Sequence, residues 1–150
     1  MTNYFLRVLP LCFAVSGVLL MACKDQDVSG ESYPKEIDFG AFKLNVPDEW
    51  ASFKLQGIDS QVGGITDGKD SLFYDYGWYS NDLQQLPAAD YHKSTKKING
   101  LDAYIVRPKK TGEGIIGVYI KVDQQNKFNL LGVSKNEDTV LRIFDSVKFD

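Results

Sequence analysis

Lys97-Ile98-Asn99-Gly100-Leu101-Asp102-Ala103-Tyr104-Ile105-Val106-Arg107 decides the fold. Asn-Gly takes the positive φ angles of a two-residue type I′ turn, and β-prone residues flank it on both sides. Tyr91 to Ile98 and Leu101 to Arg107 are therefore predicted to form an antiparallel hairpin. Downstream, Gly114 to Val122 and Lys127 to Ser134 flank the turn residues Asp123 to Asn126 and predict a second hairpin, with Ile116, Val118, Ile120 and Val122 on its core face. A helix is predicted over Glu137 to Asp145. Asn136 stands at its N-cap, Glu137 and Asp138 suit its positive end, and Val140, Leu141, Ile143 and Phe144 form its apolar face. Val147 to Phe149 reads as a last strand. Upstream, Phe42, Leu44 and Val46 alternate with polar residues up to Pro47, and Gln61 to Thr66 and Ser71 to Tyr79 are further strands. A second, weaker helical signal covers Leu83 to Asp90. The pattern predicts an α+β domain over residues 37–150, an antiparallel meandering β-sheet with a C-terminal helix packed on it.

The first 22 residues carry a different message. Arg7 supplies a positive start, and Val8 to Met21 is an apolar run broken only by Pro10, Ser16 and Gly17. The run is shorter than the ~20 residues of a bilayer span and reads as a secretory signal. It ends in Leu20-Met21-Ala22-Cys23, which resembles a bacterial lipobox. That resemblance implies cleavage before Cys23, a diacylglyceryl group on its thiol and acylation of the new amine, palmitate being a typical chain. Lys24-Asp25-Gln26-Asp27 resembles the acidic signal that carries some lipoproteins to the cell surface, interrupted here by Gln26; a plain solvated tether is the competing reading. Residues 23–36 read as lipidated Cys and flexible spacer. The expected location is the cell envelope, lipid-anchored, at the outer membrane and facing either periplasm or surface.

Composition narrows the function classes. The 150 residues are 43% hydrophobic and 25% charged, which excludes wholesale disorder. A net charge of −3 argues against a nucleic-acid partner. Once Cys12 leaves with the signal and Cys23 carries lipid, no thiol remains for a disulfide, a metal or a nucleophile. The single His92 makes no multi-histidine metal shell, and no nucleophile-elbow pattern surrounds Ser80 or Ser94. We expect no enzyme activity, no cofactor and no metal.

Three motifs align with a known family. Phe42-Lys43-Leu44-Asn45-Val46-Pro47-Asp48-Glu49-Trp50, then Ile98 to Tyr104, then Ile143 to Phe149 resemble PsbP-like domains. Those are named after an extrinsic photosystem II subunit and share a fold with a Ran-binding nuclear import factor. The resemblance covers most of Phe39 to Phe149 and implies a reduced α/β/α sandwich with a non-catalytic binding role. This chain is shorter than typical members and lacks one of their helices. No catalytic residues carry over.

The most unusual stretch is Phe73-Tyr74-Asp75-Tyr76-Gly77-Trp78-Tyr79-Ser80. On a strand Tyr74, Tyr76 and Trp78 share one face, and Phe73, Asp75 and Tyr79 the other. Rings with a polar edge suit recognition, so Tyr74, Asp75, Tyr76, Trp78 and Tyr79 are the candidate binding face. Burial of the same rings in a core is the competing reading. Asp59, Asp67, Asp70, Asp75 and Asp82 read as turn acids, without the spacing of a calcium loop. Charge is uneven: Lys24 to Asp90 carries 5 basic against 13 acidic residues, and Tyr91 to Asp150 carries 11 against 7. Lys93, Lys96, Lys97, Arg107, Lys109 and Lys110 gather on one hairpin, either as a patch for an anionic partner or as the charges that guard a sheet edge. The expectation is a membrane-anchored, non-catalytic binding or assembly module with an envelope protein as partner; the alternative is a glycan or small-ligand binder using strand 74–79.

Overall fold

A computed structural model describes residues 32–150, and the signal peptide, Cys23 and the Lys24 to Asp27 segment lie outside the described residues. Among the described residues the fold is mainly antiparallel β with one short helix. Its elements are β1 (Lys35–Asp38), β2 (Phe42–Val46), β3 (Ala51–Lys54), β4 (Ser60–Thr66), β5 (Ser71–Gly77), β6 (Tyr91–Ile98), β7 (Leu101–Pro108), β8 (Ile116–Lys121), β9 (Lys127–Val133), α1 (Glu137–Asp145) and β10 (Lys148–Phe149).

The strands divide between two sheets rather than forming one meander. A seven-stranded sheet runs β3-β4-β5-β9-β8-β7-β6, and a three-stranded sheet runs β1-β2-β10. The larger sheet is two meanders, β3 to β5 and β6 to β9, joined where β5 pairs with β9 from Ser71↔Val133 to Gly77↔Lys127. Segment 78–90 must then carry the chain from mid-sheet to the far edge. The expected helix over Leu83 to Asp90 does not form there. Only isolated turns occur, closed by Leu86 N–H to Leu83 O and Asp90 N–H to Pro87 O. Pro87 cannot donate within a helix and disfavours helical geometry in the residue before it. Leu83 takes a φ of 55° and is buried, packed beside Gly117 on β8.

Ladder register sorts the side chains. Ile65, Leu72, Tyr74, Phe128, Leu130, Val118, Ile120 and Ile105 form the inner face, buried against β2 and α1. From the helix come Val140, Ile143 and Phe144, and from β2 come Phe42, Leu44 and Val46. Removing one such side chain from water is worth about 1.5–3 kcal/mol, so this layer dominates stability. Gly63 and Gly64 on β4 make room for it. A Cβ on Gly63 would stand 2.7 Å from the Tyr74 Oη on the inner face, and one on Gly64 would stand 2.3 Å from the Phe53 ring on the outer face.

The Asn99-Gly100 turn has φ values of 50° and 78°, as the hairpin requires. Asn99 Oδ1 also accepts the Phe149 N–H at 2.9 Å, tying β10 to the turn. The helix covers Glu137–Asp145, with Asn136 accepting from Thr139 N–H and Ser146 Oγ donating to Ile143 O at 2.7 Å. The same hydroxyl accepts the Asn45 N–H at 2.8 Å and clips the helix end to β2. β1 begins inside the segment expected to be spacer: Lys35 and Glu36 pair with Val46 and Asn45. Tyr33 also packs against the core, with Arg142 over its ring at 4.3 Å.

Candidate functional site

The five residues of the candidate face separate along β5. Tyr74 is 3% exposed and belongs to the core, in ring contact with Phe39 at 4.8 Å and Phe42 at 5.0 Å. Its place in a contact face is therefore corrected: the strand face that carries it is the one covered by β2. Burial raises the Tyr74 phenol above its ordinary range. Asp75 lies on the opposite face, where it pairs across the ladder with Asn129, and its Oδ1 is buried without a hydrogen-bond partner among the described residues. Tyr76 stands at the margin of the core, with Phe149 stacked at 6.4 Å. Its phenol is also raised, first by burial and then by the nearby Asp123 carboxylate. The strand stops at Gly77. Beyond it Trp78 and Tyr79 are 52% and 73% exposed.

A buried polar node two residues further along the chain anchors the segment that carries Trp78. Ser80 turns under the sheet and is buried, its Oγ donating to Asp75 O at 3.0 Å. Asn129 Nδ2 donates to Ser80 Oγ at 2.8 Å and to Asn81 O at 3.2 Å. These bonds pin the corner that presents the indole. The Lys127 ammonium lies 5.9 Å from the Trp78 ring centroid on one side.

Three loops meet at this end of the sheet: 55–59, 78–80 and 122–126. Between them is an open depression of about 680 Å³ lined by Ile58, Asp59, Ser60, Gln61, Tyr76, Gly77, Trp78, Gln125 and Asn126. Ile58 is fully exposed, and Leu55 beside it is half-exposed. Among the described residues, no hydrogen bond engages the side chains of Asp59, Ser60, Tyr76, Trp78 or Gln125. Asp123 closes the 122–126 turn: its carboxylate accepts from Asn126 Nδ2 and from the N–H groups of Gln125 and Asn126. Those bonds, led by the Asn126 amide, hold its pKa below the usual carboxylate range. The sequence missed Ile58, Asp59 and Gln125 as site residues, because nothing local marks three loops as neighbours; only the strand pairing does.

The remaining candidates disperse. Asp67 caps the β4–β5 turn through the N–H groups of Lys69 and Asp70. Asp70 accepts from the Ser134 hydroxyl, and Asp82 from Gln84 N–H. No three His, Cys, Asp or Glu side chains converge among the described residues. His92 and Ser94 share the helix-side face of β6, while Ser80 lies under the 78–90 crossover on the other face, so they form no constellation. β6 is one edge strand of the larger sheet, and its cations are locally matched: Lys96–Asp145 at 2.6 Å and Lys97–Asp102 at 2.8 Å, with Lys93 donating to Gln84 O, while beyond β7 Lys110 pairs with Glu113 at 3.4 Å. That arrangement is the one by which charged side chains blunt an edge.

No protein-family model and no curated protein matches the chain. Among solved structures, a crystal structure from Bacteroides thetaiotaomicron VPI-5482 is similar over 73% of this chain, at 13% identity and a TM-score of 0.47. The match takes in 45% of that protein, so this chain spans less than half of its length.

Proposed function

We propose that the chain is a lipid-anchored envelope protein whose folded domain is a non-catalytic binding module, and that it holds its partner in the depression beside Trp78. One observation carries the reading: a half-exposed indole, held in place by a buried hydrogen-bonded node, stands over a concavity where five side chains keep their polar atoms unpaired. Trp78, Ile58 and Leu55 gather exposed apolar side chains at this one end of the sheet, and a pre-positioned aromatic binds with little loss of conformational freedom. The anchor follows from Leu20-Met21-Ala22-Cys23, and a reduced PsbP-like sandwich is the family reading that accompanies it.

The attachment point fits this division. Lys35 pairs with Val46 and donates to Trp50 O at 2.6 Å, and Trp50 precedes β3, whose first residue Ala51 pairs with Thr66. The chain thus enters the domain at the Thr66 end of β4, whereas the depression sits at the Ser60 end.

Footprinting tests the site. Hydroxyl-radical labelling of the protein in its native envelope should protect residues 58–61, 76–78 and 125–126. Protection should vanish in Trp78→Ala/Tyr79→Ala while the urea midpoint stays unchanged, because both rings are exposed. Protection confined to other surfaces would overturn the reading. Mass spectrometry of the native protein tests the anchor: Cys23 at the amino terminus with fatty acyl groups is expected, and a chain without them refutes it.

A further inference from the structure

We infer that the ligand is a neutral, linear saccharide of at least two rings, laid across the start of β4 from Trp78 toward Leu55. The inference rests on the depression being the binding site. A second concavity, of about 330 Å³, lies beyond β4 and is lined by Phe39, Lys54, Leu55, Gly57, Val62 and Tyr74 together with Ser60 and Gln61. Ser60 and Gln61 also line the first concavity, so the two adjoin at the β4 start, with the Gln61 amide, which donates to Phe39 O at 2.8 Å, shared by both. Two adjoining concavities suit a chain molecule of at least two units rather than a single small one.

Its chemistry selects among chain molecules. The half-exposed Trp78 ring lines the first concavity, with the Lys127 ammonium 5.9 Å from its centroid, and offers an apolar surface for the C–H-rich face of a pyranose. Beside that ring the Asp59 carboxylate, the Ser60 hydroxyl and the Gln125 amide line the first concavity unpaired among the described residues and are available as hydroxyl partners. An acyl chain or an apolar peptide would bury these groups without hydrogen bonds, at a cost of about 1–3 kcal/mol each. Charge selects further. Among the lining residues of the two concavities one carboxylate, Asp59, is balanced by one ammonium, Lys54, and none is an arginine that could fork onto a carboxylate or phosphate.

The test uses the intact mature protein in detergent micelles. The probes are neutral oligosaccharides of one to four rings and hexuronic-acid oligomers of the same lengths, read by quenching of tryptophan fluorescence and by calorimetry. Binding of neutral probes is expected, strengthening by about tenfold or more from one ring to three, as a second occupied subsite requires. Trp78→Ala should lose about tenfold or more at every length, as for an aromatic anchor. Leu55→Ala should weaken the three-ring probe and leave the one-ring probe unchanged. Buried Trp50 reports that each variant is folded. Preference for hexuronic acids, or affinity independent of length, overturns the inference. Absence of any oligosaccharide binding, with the envelope footprint at the depression intact, overturns the saccharide and leaves the site standing. Oligosaccharide binding that Trp78→Ala does not alter overturns both. Quenching of Trp78 by brominated acyl chains, after reconstitution through the anchor, assigns the tip to a bilayer and likewise overturns the saccharide.

Discussion

Asn129→Ala removes the node that holds the Trp78 corner, and its effect can be worked from the contacts. Asn129 is 4% exposed, and its amide donates to Ser80 Oγ at 2.8 Å and to Asn81 O at 3.2 Å. Each neutral hydrogen bond contributes about 1 kcal/mol net. The Asn81 residue is exposed, so its carbonyl regains water. Ser80 Oγ is buried but keeps its donated bond to Asp75 O, so it is not fully orphaned. The loss should therefore be about 1–2 kcal/mol, below the larger penalty of an unsatisfied buried group. Nearly all of it is local, because the node joins the crossover to β9 and touches neither β2 nor α1. Amide exchange across 78–81 should then quicken by about tenfold, since 1.4 kcal/mol corresponds to one decade of opening. Hydrogen exchange resolved by residue, together with urea unfolding, measures both quantities. Faster exchange throughout β5 and β9 with none specific to 78–81 would refute the assignment of this node to the corner. So would a stability loss above about 4 kcal/mol, which would place Asn129 in the main core rather than under the crossover.

Three further outcomes rest on the turn and strand contacts. Gly63→Ala places a Cβ 2.6 Å from Phe53 O and 2.7 Å from Tyr74 Oη, and should cost about 1–3 kcal/mol by thermal unfolding, as overpacking does; a neutral result would mean that Tyr74 does not pack over β4. Asn99→Ala keeps an unfavourable positive φ and deletes the acceptor for Phe149 N–H, so about 1–2 kcal/mol should be lost and β10 amides should exchange faster; equal exchange in wild type and variant would contradict that tie. Asp67 is held below its ordinary range, first by the Asp70 N–H and also by the Lys69 N–H. Because its folded value is depressed, the stability it gives is complete above its unfolded value of about 3.9 and disappears as pH falls through the folded value. Asp67→Asn keeps an acceptor oxygen without the titration, so stability measured by urea unfolding should fall less steeply than wild type between about pH 4 and pH 2; identical slopes would remove the turn from the acid response.

Local periodicity and turn chemistry made most of the elements legible. The Asn99-Gly100 hairpin, the helix Glu137–Asp145 with its Asn136 cap, and the alternation of Phe42, Leu44 and Val46 are each determined within about ten residues of chain. The division into two sheets was not legible, because nothing local in β1 or β10 states that both will flank β2. β1 in particular alternates half-buried and exposed residues, with Ile37 its one large apolar side chain, and so resembles spacer. The false helix at Leu83 to Asp90 has the same origin. Its composition permits a helix, whereas the distance from β5 to the β6 edge requires an extended crossover with Leu83 inserted beside Gly117. For the site, the sequence singled out Tyr76 and Trp78, which line the depression, but grouped them with the buried Tyr74 and with Asp75 and Tyr79, which do not line it. Alternation alone cannot tell which face β2 will cover or where the strand will end.

The end of β5 is where folding and recognition part company. Along one face the residues run Leu72, Tyr74, Tyr76, then Trp78 past the strand, and their exposure rises in that order from none to half. The first two bind the seven-stranded sheet to β2. Tyr76 has Phe149 stacked behind it and the depression in front, so it shares both duties. Trp78 contributes nothing to the core and is held instead from the opposite face, by Ser80 and Asn129. A mutation at Tyr74 would therefore act mainly on stability, although its ring also lines the second concavity, whereas one at Trp78 would weaken the proposed binding in a folded protein. Asn129 lies between these cases, since it touches no ligand position yet sets the stiffness with which the indole is offered. Loss of that stiffness would lower affinity through the entropy of ordering the corner on binding, with the contact chemistry unchanged. The three positions thus separate core, contact and preorganisation along a single register of paired strands, and comparing their stability and binding losses would reveal which of them a given substitution has damaged.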